Sequence, residues 1–400
     1  MSDKLRSIFT TAAHAGMPSG DQHGAVAVPI YTTSIYEFPD AETADEIHNE
    51  RTPGYYYGRL GNPTTEAFEK AVAELEVGGS AIAFASGMAA ISGVILSMCK
   101  TGDHIIAPVS HYSTTGKLLR FIEERFGIAH TLVDSTDPDT LRSAMRSDTR
   151  MIWIESPSNP LLRVIDIDAV AAFGKSNGLI TVADNTFATP FNQRPLTLGA
   201  DIVIHSATKY IGGHSDLTAG VAVASREMIE TIRQSSGKLF GGNISPQVAW
   251  LALRGLKTLA IRMERHNSNA YALADMLAAC TGVVKVFYPG LSSFEGHEIA
   301  SRQMKGGFGG MLSFDLGALD AAKRFVDSVR VCTLATSLGG VETLVQPSIS
   351  MTNAGMSSSE KERSGIPDGL VRMSVGIECI DDLKDDVLDA LKAAVANSNR

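Results

Sequence analysis

The sequence is poor in cysteine. Its 400 residues contain four, Cys99, Cys280, Cys332 and Cys379, which lie far apart and form no CxxC pair. A disulfide framework or a zinc site needs clustered ligands, so the spacing argues against both and reads as reduced thiols of a cytoplasmic protein, with no metal expected. Excess positive charge is also lacking: 35 basic against 44 acidic residues leave a formal charge of −9. Nucleic-acid binders present a basic face, so a nucleic-acid partner is not expected. Residues 1–11 carry Lys4 and Arg6 without the apolar stretch of a secretory signal. Long hydrophobic runs are scarce. The window Ala81–Cys99 has no charged residue over 19 positions, enough to span a bilayer. Ser86-Gly87 interrupts it, however, and Ser92, Gly93 and Ser97 dilute it, which predicts a buried strand and then a buried helix, and no membrane partner. No internal repeat or low-complexity tract is evident.

What is present suffices for two packed domains: 44% of the residues are hydrophobic and 20% charged. Residues 1–60 are rich in Thr, Tyr and Gly, show no core periodicity and read as an irregular arm. Asn62-Pro63 reads as a helix cap with proline at the first turn, followed by Phe68, Val72 and Leu75, and Gly78-Gly79 is expected to end that helix. Apolar runs at 80–84, 104–107, 128–133, 150–154, 179–183, 201–205 and 219–224 predict strands. They alternate with helical stretches at 87–99, 115–125, 138–146 and 166–176. This order predicts a mostly parallel sheet covered on both faces, with ligands beyond the carboxyl ends of its strands. One long helical segment is expected from Pro246 to Leu277, with Arg262 among its polar positions. A smaller α/β domain follows, with strands near 283–288 and 310–316 and helices near 318–328 and 380–396. Ser357–Ser364 reads as a surface loop. The expected division is an arm at 1–60, a large domain at 61–256 and a small domain at 257–400.

Several residues at the predicted strand ends carry chemistry. Lys209 follows the strand 201–205 in His205-Ser-Ala-Thr-Lys-Tyr-Ile-Gly-Gly. A lysine whose pKa is lowered by burial or a neighbouring cation condenses with carbonyls. Asp184 ends the strand 179–183, where a carboxylate can hold a pyridine nitrogen protonated. Ser86-Gly87-Met88 opens a helix whose free N–H groups and dipole suit a phosphate, with Ser206 and Thr208 as further donors. Tyr112 follows the strand 104–107 and can stack on a ring. Arg372, in Leu370-Val-Arg-Met-Ser-Val-Gly, offers a fork for a carboxylate and requires an anionic partner if buried. Each also has a plain structural reading: a solvated lysine, a turn aspartate, an ordinary strand-to-helix turn, a packed tyrosine, a structural salt bridge. Together they are the set that pyridoxal phosphate requires, an amine, a carboxylate, an anion cup and a ring clamp.

The chain resembles the pyridoxal-phosphate-dependent enzymes of cysteine and methionine metabolism, the group of cystathionine γ-synthases, cystathionine lyases, methionine γ-lyases and homoserine-ester sulfhydrylases. The resemblance runs from Tyr31 to the last helix. It rests on Tyr57-Gly-Arg59 with Asn62-Pro-Thr, Ser86-Gly-Met88, Glu155-Ser-Pro-Ser-Asn159-Pro, Asp184-Asn-Thr, Ser206-Ala-Thr-Lys209-Tyr-Ile-Gly-Gly-His, Ser337-Leu-Gly-Gly and Arg372-Met-Ser-Val-Gly-Ile-Glu. It implies the aspartate-aminotransferase-like architecture, fold type I. It implies Lys209 as Schiff-base lysine and proton carrier, Asp184 on the pyridine nitrogen and Tyr112 on the ring. Gly87, Met88, Ser206 and Thr208 would hold the phosphate, and Asn159, Ser337 and Arg372 the substrate carboxylate and the cofactor oxygen. Tyr57 and Arg59 would reach the phosphate of a neighbouring subunit, in a homotetramer of two catalytic dimers.

Members of the group differ in what leaves and whether a nucleophile adds. Those that handle cystathionine generally carry Glu directly before Ser-Leu-Gly-Gly; here it is Thr336. Methionine γ-lyases carry an apolar residue there and a cysteine two residues after the stacking tyrosine; here that position is Thr114. Glu342-Thr-Leu, Ser350-Met-Thr, Arg254-Gly-Leu-Lys-Thr-Leu, Arg262-Met-Glu-Arg-His and Lys238 look most like methionine γ-lyases, although Leu239 replaces an acidic neighbour. The resemblance therefore points to γ-elimination from a sulfur amino acid. γ-Replacement on an activated homoserine ester and β-elimination from cystathionine remain as alternatives, with an inert scaffold as the reading from another class.

Overall fold

The computed structural model describes residues 6–17, 23–351 and 363–395. Among them twelve strands form two sheets. The larger has the order β1-β7-β6-β5-β4-β2-β3, built from β1 (Ser80–Phe84), β2 (His104–Pro108), β3 (Ala129–Val133), β4 (Thr149–Glu155), β5 (Ile180–Asp184), β6 (Ile202–His205) and β7 (Gly220–Ala224). β7 alone runs against its neighbours; the other strands share one direction. All residues of β2, β5, β6 and β7 are buried, as expected for a sheet with helices on both faces. The carboxyl ends of β1, β2, β4, β5 and β6 therefore lie along one edge, and Ser86, Tyr112, Glu155, Asp184 and Ser206 fall at or just beyond them. The window Ala81–Cys99 is strand β1 followed by the helix Gly87–Met98. No described helix is long and apolar enough to cross a membrane.

The smaller sheet has the order β10-β11-β12-β9-β8, from β8 (Lys285–Phe287), β9 (Met311–Asp315), β10 (Thr333–Leu334), β11 (Leu344–Pro347) and β12 (Leu370–Ser374). It is antiparallel except at β10–β11. The helices Leu319–Ser328 and Ile380–Val395 pack on it through Phe325, Leu383, Val387 and Leu391. The sequence reading found β8, β9 and both helices but no strand at 333–334 or 344–347. At 370–374 it noted only apolar character, because such short segments show no usable period.

Three local expectations are corrected. Residues 1–60 are not uniformly irregular: they contain the helices Ile8–His14 and Ala41–His48, and Ala12 and Ala15 enter the main core. The helix Pro63–Glu76 is capped as expected, Asn62 Oδ1 accepting from Thr64 N at 2.9 Å. It is Val77, at φ +58°, that turns the chain out of it. Gly78 serves a close approach instead: a Cβ there would lie 2.4 Å from Val223 Cγ1 on β7.

The segment from Pro246 to Leu277 is two helices, Pro246–Leu256 and Leu259–Ala278. A Cβ on Gly255 would meet Gly212 O at 2.2 Å, so only glycine fits there. Its carbonyl is taken by the Thr258 hydroxyl at 3.0 Å and the Arg262 guanidinium at 2.8 Å, which ends the first helix. The second helix joins the two cores, its first half (Leu259, Ala260, Met263) entering the large one and its second (Ala270, Leu273, Leu277) the small one. Of the expected surface loop Ser357–Ser364, residues 357–362 lie outside the described residues. Ser364 is buried, and its carbonyl accepts from Arg163 at 3.0 Å.

Candidate active site

β4 and β5 pair in parallel with Glu155 directly opposite Asp184, so two carboxylates end neighbouring strands. Both are buried. Asp184 Oδ1 accepts from the Thr186 hydroxyl at 2.5 Å and from Thr186 N at 3.0 Å. The same Thr186 oxygen accepts from Ser206 N at 2.9 Å, tying the end of β5 to the turn after β6. Burial raises the Asp184 carboxyl above its ordinary value, against the bonds from Thr186. Burial, reinforced by Asp184, pushes Glu155 up to about 8.

Glu155 Oε2 accepts from Tyr112 N at 2.7 Å, and Oε1 accepts from Asn159 N at 3.0 Å. Tyr112 precedes the helix Ser113–Phe126 and keeps its side chain partly exposed. Its neighbour His111 is accommodated because residue 116 is glycine: a Cβ there would lie 2.5 Å from His111 Nε2. Ring and gap are thus matched within one short stretch of the sequence.

The helix Gly87–Met98 begins at Ser86, whose hydroxyl accepts from Ala89 N at 3.1 Å. The Gly87 and Met88 N–H groups have no carbonyl one turn earlier to bond. A Cβ on Gly87 would lie 2.7 Å from both Cβ and Oγ of Ser206, so the helix start and the Ser206 turn meet only because Gly87 has no side chain. Thr208 departs from the expected donor set: its hydroxyl accepts from Ala219 N at 3.0 Å and lies 3.2 Å from Ala219 O, to which it donates.

Lys209 extends from this turn and donates from Nζ to Ser337 Oγ at 2.6 Å. Burial, with Arg372 nearby, lowers its ammonium to about 8. Ser337 itself has φ +77°, a conformation non-glycine residues rarely adopt. A Cβ on Gly339 would lie 2.5 Å from Tyr210 N, so glycine lets the Ser337 loop lie on the Lys209 backbone. Arg372, central in β12, donates from Nη2 to Ser337 O at 2.7 Å and from Nη1 to Asn159 Oδ1 at 3.2 Å. Burial lowers its guanidinium to about 10.

The sequence reading left Arg262 among the polar positions of a helix. It is buried and donates to Tyr210 O at 2.7 Å, Ile211 O at 3.4 Å and Gly255 O at 2.8 Å, binding the chain just after Lys209. In the sequence Glu155 and Thr186 stand only as members of the family motifs. Their signal was their place, at or two residues beyond a strand end. A buried His205–Glu76 pair, Nε2 to Oε1 at 2.6 Å, lies under the Lys209 turn and had no sequence signal.

Tyr57 and Arg59 are not gathered with these groups. They lie in the arm, the Arg59 guanidinium 5.5 Å from the Tyr57 ring centroid and donating to Lys238 O at 2.6 Å. Arg59 lines a separate cavity of about 200 Å³ that includes Glu69, Phe84 and Arg233 and none of Lys209, Asp184 or Arg372. Of the positions expected to decide the substrate, Thr114 is half-buried in the first turn after Tyr112, Thr336 is exposed beside Ser337, and Leu239 is exposed.

An amine, a paired carboxylate, a glycine-lined helix start and a held guanidinium are therefore brought to one edge. Residues 9–392 match the family model described as Cys/Met metabolism PLP-dependent enzyme. The chain belongs to this family. A cystathionine β-lyase of Lactococcus lactis is 45% identical over 389 residues, covering 97% of this chain and all of the relative. An L-methionine γ-lyase of Fusobacterium nucleatum is 42% identical over 395 residues, covering 98% of this chain and all of the relative. A solved structure of cystathionine γ-synthase from Xanthomonas oryzae pv. oryzae in complex with cystathionine has a TM-score of 0.92 at 39% identity, covering 98% of this chain and 99% of the other. The architecture is that of fold type I, and the protein is an enzyme that uses pyridoxal phosphate in sulfur amino-acid metabolism.

Proposed function

We propose that this enzyme is a carbon–sulfur lyase that eliminates the γ-substituent of a sulfur amino acid, releasing a 2-oxo acid, ammonia and a thiol. Bound pyridoxal phosphate supplies an aldehyde for amino groups and a ring that accepts the electron pair left by the departing α-proton. The residues fit that group, because the approach of Gly87 to Ser206 forms a small anion cradle across from the Asp184 carboxylate. Gly87, Met88 and Ser206 would hold the phosphate, with Ser86 capping the helix. Thr208 is a weaker member of this set, since Ala219 occupies its hydroxyl. Asp184 would pair with the pyridine nitrogen, and Tyr112 would cover the ring. Arg372 orients the substrate carboxylate with Asn159 and Ser337. Lys209 would be the amine that holds the cofactor through its aldehyde. Its Nζ then takes the α-proton, and with Tyr112 it moves protons at the β-carbon and the leaving sulfur. An amine lowered to about 8 can both give and take protons near neutrality.

The choice of γ-elimination rests on Thr336: it places a neutral side chain next to Ser337, where a distal ammonium such as that of cystathionine would need a carboxylate. The relatives named cystathionine β-lyase favour a second reading, β-elimination, and those named cystathionine γ-synthase a third, replacement on a homoserine ester. Purified enzyme offered methionine, cystathionine and O-acetylhomoserine, with and without a thiol, separates them. Keto-acid release from methionine without any nucleophile supports the proposal. Turnover of cystathionine alone, or product only when the thiol is present, overturns it.

In this reading Tyr57 and Arg59 complete the phosphate site of a neighbouring copy, the assembly is a homotetramer of two catalytic dimers, and the enzyme works in the cytoplasm. In this division residues 1–60 form the arm, 61–256 the cofactor domain and 257–400 the small domain.

A further inference from the structure

Glu155 has no part in the proton transfers above, yet it is a buried carboxylate at the centre of the site. Each of its oxygens accepts one main-chain N–H, Tyr112 N at 2.7 Å and Asn159 N at 3.0 Å. These two residues lie on different loops, one beyond β2 and one beyond β4. Asn159 in turn accepts from Arg372 at 3.2 Å, and Arg372 donates to the Ser337 carbonyl, so the chain of bonds reaches the residue that touches Lys209. A buried carboxyl beside another carboxyl is costly, and an apolar or amide side chain would avoid that cost. Both oxygens of a carboxyl group can accept, whereas a glutamine would turn an N–H toward one of these main-chain N–H groups.

We propose that Glu155 is a positioning residue, one carboxylate that fixes the ring-covering Tyr112 and the carboxylate-binding Asn159 relative to Asp184 through their main-chain N–H groups. It acts through these residues without touching the substrate. Its neighbour across the strand pair, Asp184, is held by Thr186 instead, so the two carboxylates divide the work: Asp184 faces the cofactor and Glu155 the loops. The inference rests on the placement of Tyr112 and Asn159 in the site proposed above.

The test compares wild type, Glu155→Gln and Glu155→Asp as holoenzymes, each confirmed folded by far-ultraviolet circular dichroism. Three readouts are taken: amide hydrogen exchange at Tyr112 and Asn159, cofactor dissociation constant by absorbance titration, and visible circular dichroism of the bound cofactor. Glu155→Gln is expected to speed exchange at one or both amides at least tenfold, weaken cofactor binding about tenfold and reduce the visible dichroic band. Glu155→Asp, which keeps both acceptors, is expected to recover part of each. Exchange and cofactor binding both within twofold of wild type overturn the proposal. Faster exchange with unchanged cofactor binding overturns it as well, and places the fault in the assignment of Tyr112 to the cofactor. Should Glu155→Gln not fold, Glu155→Asp is read in the same three assays. In the wild type alone, unprotected amides at Tyr112 and Asn159 already sink the inference.

Discussion

Lys209 Nζ lies 2.6 Å from Ser337 Oγ although 128 residues separate them in the chain. The contact joins the turn after β6 to the loop before β11, and so the two sheets meet at the reactive amine. Ser337 reaches it from a left-handed backbone conformation, at φ +77°. Strain of this kind persists only where surrounding bonds hold it, here Arg372 on the Ser337 carbonyl and Gly339 packed against Tyr210.

The amine itself gives the first prediction. Burial lowers Lys209 to about 8, against 10.5 for an ordinary lysine. In the cofactor-free enzyme, acylation of Lys209 followed by peptide mass spectrometry should be half-maximal near pH 8, while exposed lysines are still rising. At this group the unfolded chain binds its proton more tightly, so stability rises with pH between about 8 and 10.5. A Lys209 midpoint near 10 would contradict the environment described. Lys209→Ala should also fail to give the yellow, borohydride-sensitive colour that the wild type acquires with pyridoxal phosphate.

The carboxyl pair gives the opposite pH dependence in a different window. Glu155 is raised to about 8 and Asp184 is raised as well, both first by burial. Here the folded state holds protons that the unfolded chain releases. The stability they contribute is complete below about pH 4.5 and is lost as the pH climbs to about 8. Urea midpoints of the cofactor-free enzyme should therefore fall from pH 5 to pH 8. Asp184→Asn should flatten that slope, because it removes one titrating group and the negative charge beside the other. An unchanged slope in this variant would show that the two groups do not interact.

Arg372→Lys tests the substrate clamp. The guanidinium spans Ser337 O and Asn159 Oδ1 at once, and a single ammonium on a flexible stem cannot keep both while presenting a fork to a carboxylate. The variant should keep its cofactor absorbance and raise KM by about 100-fold, or about 2.8 kcal/mol of binding at 1.4 kcal/mol per tenfold change. A normal KM would remove Arg372 from carboxylate binding. Loss of the cofactor band would assign it a different task.

How far these relations were legible beforehand depended on what each residue needs as a neighbour. The strands of the large sheet were readable because buried parallel strands are continuous apolar runs, and Asp184 and Ser206 announce themselves by standing where such runs stop. β10 and β11, with two and four residues, carry no period to read. The Gly255 break was hidden because its cause is Gly212, 43 positions earlier and close only in the folded chain. Arg262 stood only among the polar positions of a helix for the same reason. Its partners are carbonyls, which every residue has and no sequence distinguishes. Thr208 shows the reverse: the sequence offers its hydroxyl as a donor, and only the fold shows that Ala219 engages it.

Arg262 supplies the last prediction. Its guanidinium is the donor for the carbonyls of Tyr210 and Gly255, with Ile211 at longer range, in a site where burial lowers it to about 10. Removing it strands the buried Tyr210 carbonyl, worth about 1–3 kcal/mol of desolvation when unpaired, and leaves the Gly255 carbonyl to Thr258 alone. Arg262→Ala should therefore cost about 3 kcal/mol, read as a lower urea midpoint at constant m-value. Part of that loss lies directly behind Lys209, since Tyr210 and Ile211 are the next two residues. The variant should thus bind pyridoxal phosphate more weakly even where it is fully folded. Arg262→Lys can satisfy one or two of the carbonyls and should fall between. If Arg262→Ala lowers the midpoint and leaves cofactor affinity untouched, the guanidinium stabilises the helix junction alone and does not position the lysine.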